Sequence, residues 1–151
     1  MKTLANQADR EEILRRLATV RPESKRRWGK MSAQRMICHL TDSFRGVTGE
    51  KSLARMNIPL RGVVRWIALH TSVPWKKNLR TMPEMNQEIG GTPPTEFQKD
   101  VQELRRLFDK FTQQPRTFEW TPHPIFLQLT DEEWMIWGYR HMDHHLRQFG
   151  A

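Results

Sequence analysis

Three of the chain's six histidines, His141, His144 and His145, fall within Trp134 to Phe149, which reads W-M-I-W-G-Y-R-H-M-D-H-H-L-R-Q-F. At about 100° per residue, a helix puts His141 and His145 one turn apart on a face shared with Trp134 and Gly138. Two neutral imidazoles at i and i+4 can aim their lone pairs at one point, the device by which helical motifs hold a metal. A glycine inside a helix costs about 1 kcal/mol against alanine. The expected reason for Gly138 is room, one turn before His141, for what the histidines bind. The pair alone describes an ordinary core or surface helix equally well, so a third ligand has to decide.

His39 is the natural third. It lies on the flank of an apolar stripe formed by Ala33, Met36, Leu40, Phe44 and Val47. If its helix packs on the last one, His39 meets His141 and His145. Three imidazoles with a vacant fourth position are the arrangement of catalytic zinc, where water is acidified toward a pKa of about 7; nickel or iron(II) accepts the same donors. Because only neutral rings bind, metal is expected to leave below about pH 6.

The remaining candidates stand around this set. Asp42, three residues after His39, is either an acceptor for its ring N–H or a solvated charge, and the solvated charge is favoured. His144 is rotated about 100° from His145, so it is placed on the rim. His123, between Pro122 and Pro124, reads as a hydrogen-bonded loop histidine before it reads as a ligand. Cys38 turns toward Gln34, Thr41 and Arg45 and is expected to be neither ligand nor nucleophile.

The elements that must position these residues are announced by caps and periodicity. Asn6 can cap a helix to about Val20 with Ile13, Leu14 and Leu17 inward; Arg21-Pro22 ends it, and Gly29 suits a tight connection. Ser32 can cap a second helix to about Gly49. Pro59 to about Thr71 is a short amphipathic helix with Pro at its first position and Leu60, Val63, Val64 and Ile67 expected to cover the core; with Trp66, Arg61 and Arg65 a membrane surface is the lesser alternative. Val73 to Thr92 is long enough to be a rim or lid. Thr95-Glu96-Phe97-Gln98 looks like a capping box for a helix through Phe111. Thr117 to Leu129 is an extended connection, and Thr130-Asp131-Glu132-Glu133 is a second capping box.

The expectation is therefore an all-α protein, one domain over residues 1–151, built as a four-helix bundle with a long crossover between the second and third main helices. The formal charge is +8, from 25 Lys+Arg against 17 Asp+Glu. A basic nucleic-acid-binding module is the alternative, but the cations look scattered and a solvated surface is favoured. No run reaches membrane-spanning length, and Met1 to Arg16 lacks the apolar core of a secretion signal, so the expected location is the cytoplasm without membrane partners. The single Cys38 agrees with a reducing compartment.

The run from Trp28 to Leu40, W-G-K-M-S-A-Q-R-M-I-C-H-L, looks like the second-helix motif of the DinB-like superfamily. The segments H-P-I-F from His123, L-T-D-E-E-W from Leu129 and H-M-D-H-H-L-R-Q-F-G from His141 resemble an uncharacterised branch of it. The resemblance spans nearly the whole chain. It implies a crossover bundle, often a homodimer, with a divalent metal on one histidine of the second helix and two of the fourth, here His39, His141 and His145. It further implies a metal-dependent enzyme acting on a small molecule with water or a low-molecular-weight thiol, of hydrolase or S-transferase type. A bundle that binds metal only for assembly is the other alternative.

Overall fold

Asn6 closes the start of helix α1 (Gln7–Leu17), its side-chain oxygen accepting the Asp9 N–H at 3.3 Å. Ser32 does the same for α2 (Ala33–Val47), accepting from the Arg35 N–H at 3.2 Å. Both caps satisfy backbone donors that the first helical turn leaves free. The computed structural model describes residues 1–151 and adds α3 (Arg61–His70), a 3-10 turn at Pro83–Met85, α4 (Phe97–Thr112) and α5 (Asp131–Gln148), so the protein is all-α.

Some boundaries move for local reasons. Helix α1 stops at Leu17, where the chain tightens and the Val20 N–H returns to the Leu17 carbonyl. Pro59 lies outside α3, which starts after Leu60 in a left-handed conformation with φ of 50°. The box expected at Thr95 does not form. Its N–H and hydroxyl instead donate to the Asp100 carboxylate, and Glu96 takes the capping position. At α5 the box is complete: the Glu133 N–H donates to Thr130 Oγ1 at 3.2 Å and the Thr130 N–H to Glu133 Oε2 at 2.9 Å.

Helix α2 occupies the centre. It packs on α4, on α5 and on the 3-10 turn, while α1 and α3 each pack on α5. Met36, Ile37, His39, Leu40, Asp42 and Phe44 are all buried, so α2 is enclosed around its circumference instead of along one stripe. One apolar cluster of 24 residues joins Leu4 near the start to Leu146 near the end. Its middle is aromatic, with Phe44 4.9 Å from Phe111 and Trp134 stacked on Trp120 at 5.0 Å, both between ring centroids.

Enclosure changes the role of Asp42. It is fully buried and does not touch His39 as an acceptor; its carboxylate takes the Thr92 N–H at 2.7 Å and the Thr92 hydroxyl at 2.6 Å, with Lys51 Nζ at 3.1 Å. The solvated charge of the sequence reading is a clamp that pins the end of the Val73 to Thr92 segment onto α2. Asp42→Asn keeps the shape but removes the charge facing Lys51 and sets an amide NH2 among donors. It is expected to cost about 2 kcal/mol, read as a lower urea midpoint with faster proteolysis within residues 73–92. Wild-type resistance in both assays would show that the clamp carries no weight.

Candidate metal centre

His39 comes from the middle of α2, and His141 and His145 from successive turns of α5, and the packing of these two helices brings them together. One ring nitrogen from each lies within 4.8 Å of the other two. His39 and His145 are buried and His141 keeps partial exposure.

Hydrogen bonds fix which nitrogens are free. His39 Nδ1 lies 3.2 Å from the Met85 carbonyl oxygen. A carbonyl only accepts, so Nδ1 carries the proton and Nε2 is a bare lone pair. His145 Nδ1 lies 3.0 Å from Gln148 Oε1, and the amide of Gln148 is oriented because its Nε2 donates to the Trp28 carbonyl at 2.9 Å. His145 Nε2 is therefore also bare. His141 Nε2 sits 3.3 Å from His39 Nε2, and His141 Nδ1 is buried with no partner.

A proton on His141 Nε2 can serve one neighbouring lone pair and leaves the other without a donor. A cation serves all three. Ligand nitrogens around a tetrahedral zinc stand about 3.4 Å apart, close to the 3.3 Å between His39 and His141. Charge state agrees with this use. Burial, opposed by the Met85 hydrogen bond, pushes His39 down to about 4. Burial and the neighbouring imidazoles push His141 and His145 well below the ordinary histidine value. All three rings are thus neutral near pH 7, the state that binds metal.

The supports trace back to local chain geometry. The 3-10 turn presents the Met85 carbonyl to His39, and the Ser43 hydroxyl, one turn beyond His39, donates to the His39 carbonyl at 2.8 Å and lies 3.2 Å from Met85 Sδ. Gly29 has φ of +80°, and a Cβ there would stand 2.5 Å from Gln148 Nε2. Only glycine accommodates that backbone and leaves Gln148 its place against Trp28.

A family model described as a protein of unknown function, DUF1569, matches residues 3–151. The chain belongs to this family. No curated protein and no solved structure matches it.

Within this DUF1569 chain, the sequence-read triad of His39, His141 and His145 is the group the fold brings together. His144 lies on the rim: its ring centroid is 5.1 Å from His145, 5.9 Å from Trp28 and 6.2 Å from Trp75. His123 is outside the triad, accepting the Ile125 and Phe126 N–H groups on Nδ1 at 3.1 and 3.0 Å, as a loop histidine does. Cys38 is buried, and burial and the Asp100 carboxylate push its thiol up to about 12, which keeps it inert.

Gly138 requires a correction. A Cβ on it would stand 2.8 Å from both Leu4 Cδ1 and Phe111 Cε1, so it makes room for core packing and none for a ligand. The tryptophans beside His141 are Trp137, at 5.0 Å, and Trp75, at 5.9 Å, while Trp134 packs in the core. The sequence reading missed Gln148, whose position three residues after His145 was the available signal. It also missed Trp28, Trp75 and the Met85 carbonyl; a backbone acceptor 46 residues from its partner leaves no mark in the sequence.

Proposed function

We propose that this chain is a DinB-like metal-dependent enzyme, a four-helix bundle of α1, α2, α4 and α5 whose crossover, residues 48–96, carries α3. It holds one divalent cation on His39, His141 and His145, zinc first and nickel or iron(II) also suited. The supporting observation is the convergence of three neutral imidazoles, two of them with their N–H groups already committed to Met85 and Gln148. A divalent ion on three imidazoles with an open position acts as a Lewis acid that lowers the pKa of water or a thiol placed there.

The chain's own residues supply the rest. His144 is half-buried and held neutral by burial, so it can accept a proton at the mouth of the site. Asp42 and Glu88 are unsuited, the first clamped to Thr92 and the second exposed and paired with Arg35. Trp28 and Trp75 pack beside His144 and each carries a cation, Lys77 Nζ 4.4 Å from the Trp28 centroid and the Arg140 guanidinium 5.7 Å from that of Trp75. Aromatic rings that carry cations beside the triad favour a small molecule or thiol cosubstrate that bears an anionic group.

The test is elemental analysis of protein purified without a chelating tag, beside His141→Ala, followed by turnover against thiol-transfer and hydrolysis substrates. About one metal per chain is expected in the wild type and little in the variant. His144→Ala should keep the metal and lose roughly a hundredfold or more in turnover. Equal, negligible metal in wild type and His141→Ala removes the proposal. Bound metal with no turnover across both panels assigns the site to assembly.

A further inference from the structure

Helix α3 lies on the protein with its amphipathic sense reversed. Leu69 is fully buried and Arg65 reaches inward, donating to Glu133 Oε1 at 2.9 Å. Leu60, Val63, Val64, Trp66 and Ile67 face outward, from 40 to 75 % exposed. The core-covering role read from their spacing is therefore wrong: the spacing is helical, but the helix is seated on its polar side. Val73 and Leu79, shortly after it in the chain, are exposed as well. An apolar helix face left outward in this way marks a surface that something covers.

The charge around it identifies the cover. From Lys51 to Pro83 there are seven Lys+Arg and no Asp or Glu, a charge of +7; the remaining 18 Lys+Arg and 17 Asp+Glu leave +1 of the formal +8. The run from Arg15 to Arg35 is as basic, with eight Lys+Arg against Glu23 alone, so what sets the α3 segment apart is that its cations flank an exposed apolar face and no acid lies within it. Two of the seven are neutralised, Lys51 by Asp42 at 3.1 Å and Arg65 by Glu133. Arg55, Arg61, Lys76, Lys77 and Arg80 have no carboxylate partner within salt-bridge distance.

We propose that α3 and its flanks dock on an anionic phospholipid surface, the helix lying in the interface. Aliphatic side chains enter the acyl boundary, Trp66 takes the headgroup level, and the unpaired cations meet the lipid phosphates and carboxylates. A second copy joined through the same face across a twofold axis would set five unpaired cations against five. Nucleic acid would match the charge and leave Val63, Val64 and Ile67 uncovered. Lys77 also stands over Trp28 beside the metal centre, but the proposal is tested apart from that site, because its readout is vesicle binding and its variants are at other residues.

The test is co-sedimentation of the full chain with phosphatidylcholine vesicles and with vesicles containing about 30 % phosphatidylserine, at low salt. Sedimentation with the anionic vesicles alone, released by about 0.5 M salt, is expected. Val63→Glu/Ile67→Glu should weaken it at least tenfold without changing the circular dichroism, since both side chains are exposed. Arg55→Glu and Arg80→Glu should each weaken it about fivefold or more. No sedimentation with anionic vesicles, equal binding to neutral ones, undiminished binding by the double variant, or a solution dimer that this variant abolishes overturns the proposal.

Discussion

Zinc added to the metal-free wild-type chain is expected to raise its unfolding temperature steeply, and His145→Ala is expected to abolish the rise. A ligand that binds only the folded state at a thousand times its dissociation constant stabilises by about 4 kcal/mol. For a chain of 151 residues that corresponds to roughly 8 to 16 °C. The variant removes one of three donors and leaves the other two without the geometry that makes the site tight, so the zinc-dependent rise, and not merely the starting temperature, is lost. Gln148→Ala is the finer probe. It touches no metal but frees His145 to rotate and to change tautomer, and loss of such a partner typically costs 10- to 100-fold in metal affinity. A packing role predicts the opposite pattern: a lower temperature in metal-free His145→Ala, with the zinc-induced rise unchanged. That result would reduce the three rings to core filler.

How far the sequence carries this fold depends on what kind of information each element needs. Helices announced by local chemistry are legible: Asn6, Ser32 and Thr130 cap where their spacing says they should. The triad is legible too, because an i, i+4 pair fixes two ligands on one helix and only a third has to be sought elsewhere. Orientation is not local. The periodicity of Leu60, Val63, Val64 and Ile67 specifies an amphipathic face, yet whether that face meets core or solvent is decided by Glu133, some 66 to 73 positions away, which draws Arg65 inward. Asp42 was misread for the same reason. A carboxylate on a helix flank is solvated unless something folds over it, and what folds over it is Thr92, 50 residues later. Gly138 answers to Leu4 and Phe111, contacts that helix spacing cannot foresee.

Lowering the pH is expected to unfold the metal-free protein between about pH 6.5 and 4, and bound zinc is expected to protect the upper part of that range. Burial pushes His39 down to about 4 and His123 down to about 3, and it pushes His141 and His145 well below the ordinary value. In the unfolded chain each takes up a proton near pH 6.5. Between these limits the unfolded state binds more protons than the folded one, so stability rises with pH across that window; it is fully present above 6.5 and lost as pH falls toward the folded values. For His39 alone a fall from 6.5 to about 4 corresponds to about 3 kcal/mol. With the other buried rings acting in the same direction, the loss is comparable to the 5 to 15 kcal/mol that holds a typical domain together. The low folded values also change the expectation for metal release. Because protons compete for the folded site only well below pH 6, zinc is expected to stay bound at pH 5.5, lower than free imidazoles would allow. Urea midpoints of metal-free and zinc-loaded protein from pH 7.5 to 4.5 measure both effects. A metal-free midpoint that stays flat over this range would mean the rings are open to water, and then neither their burial nor their readiness for a cation could be maintained.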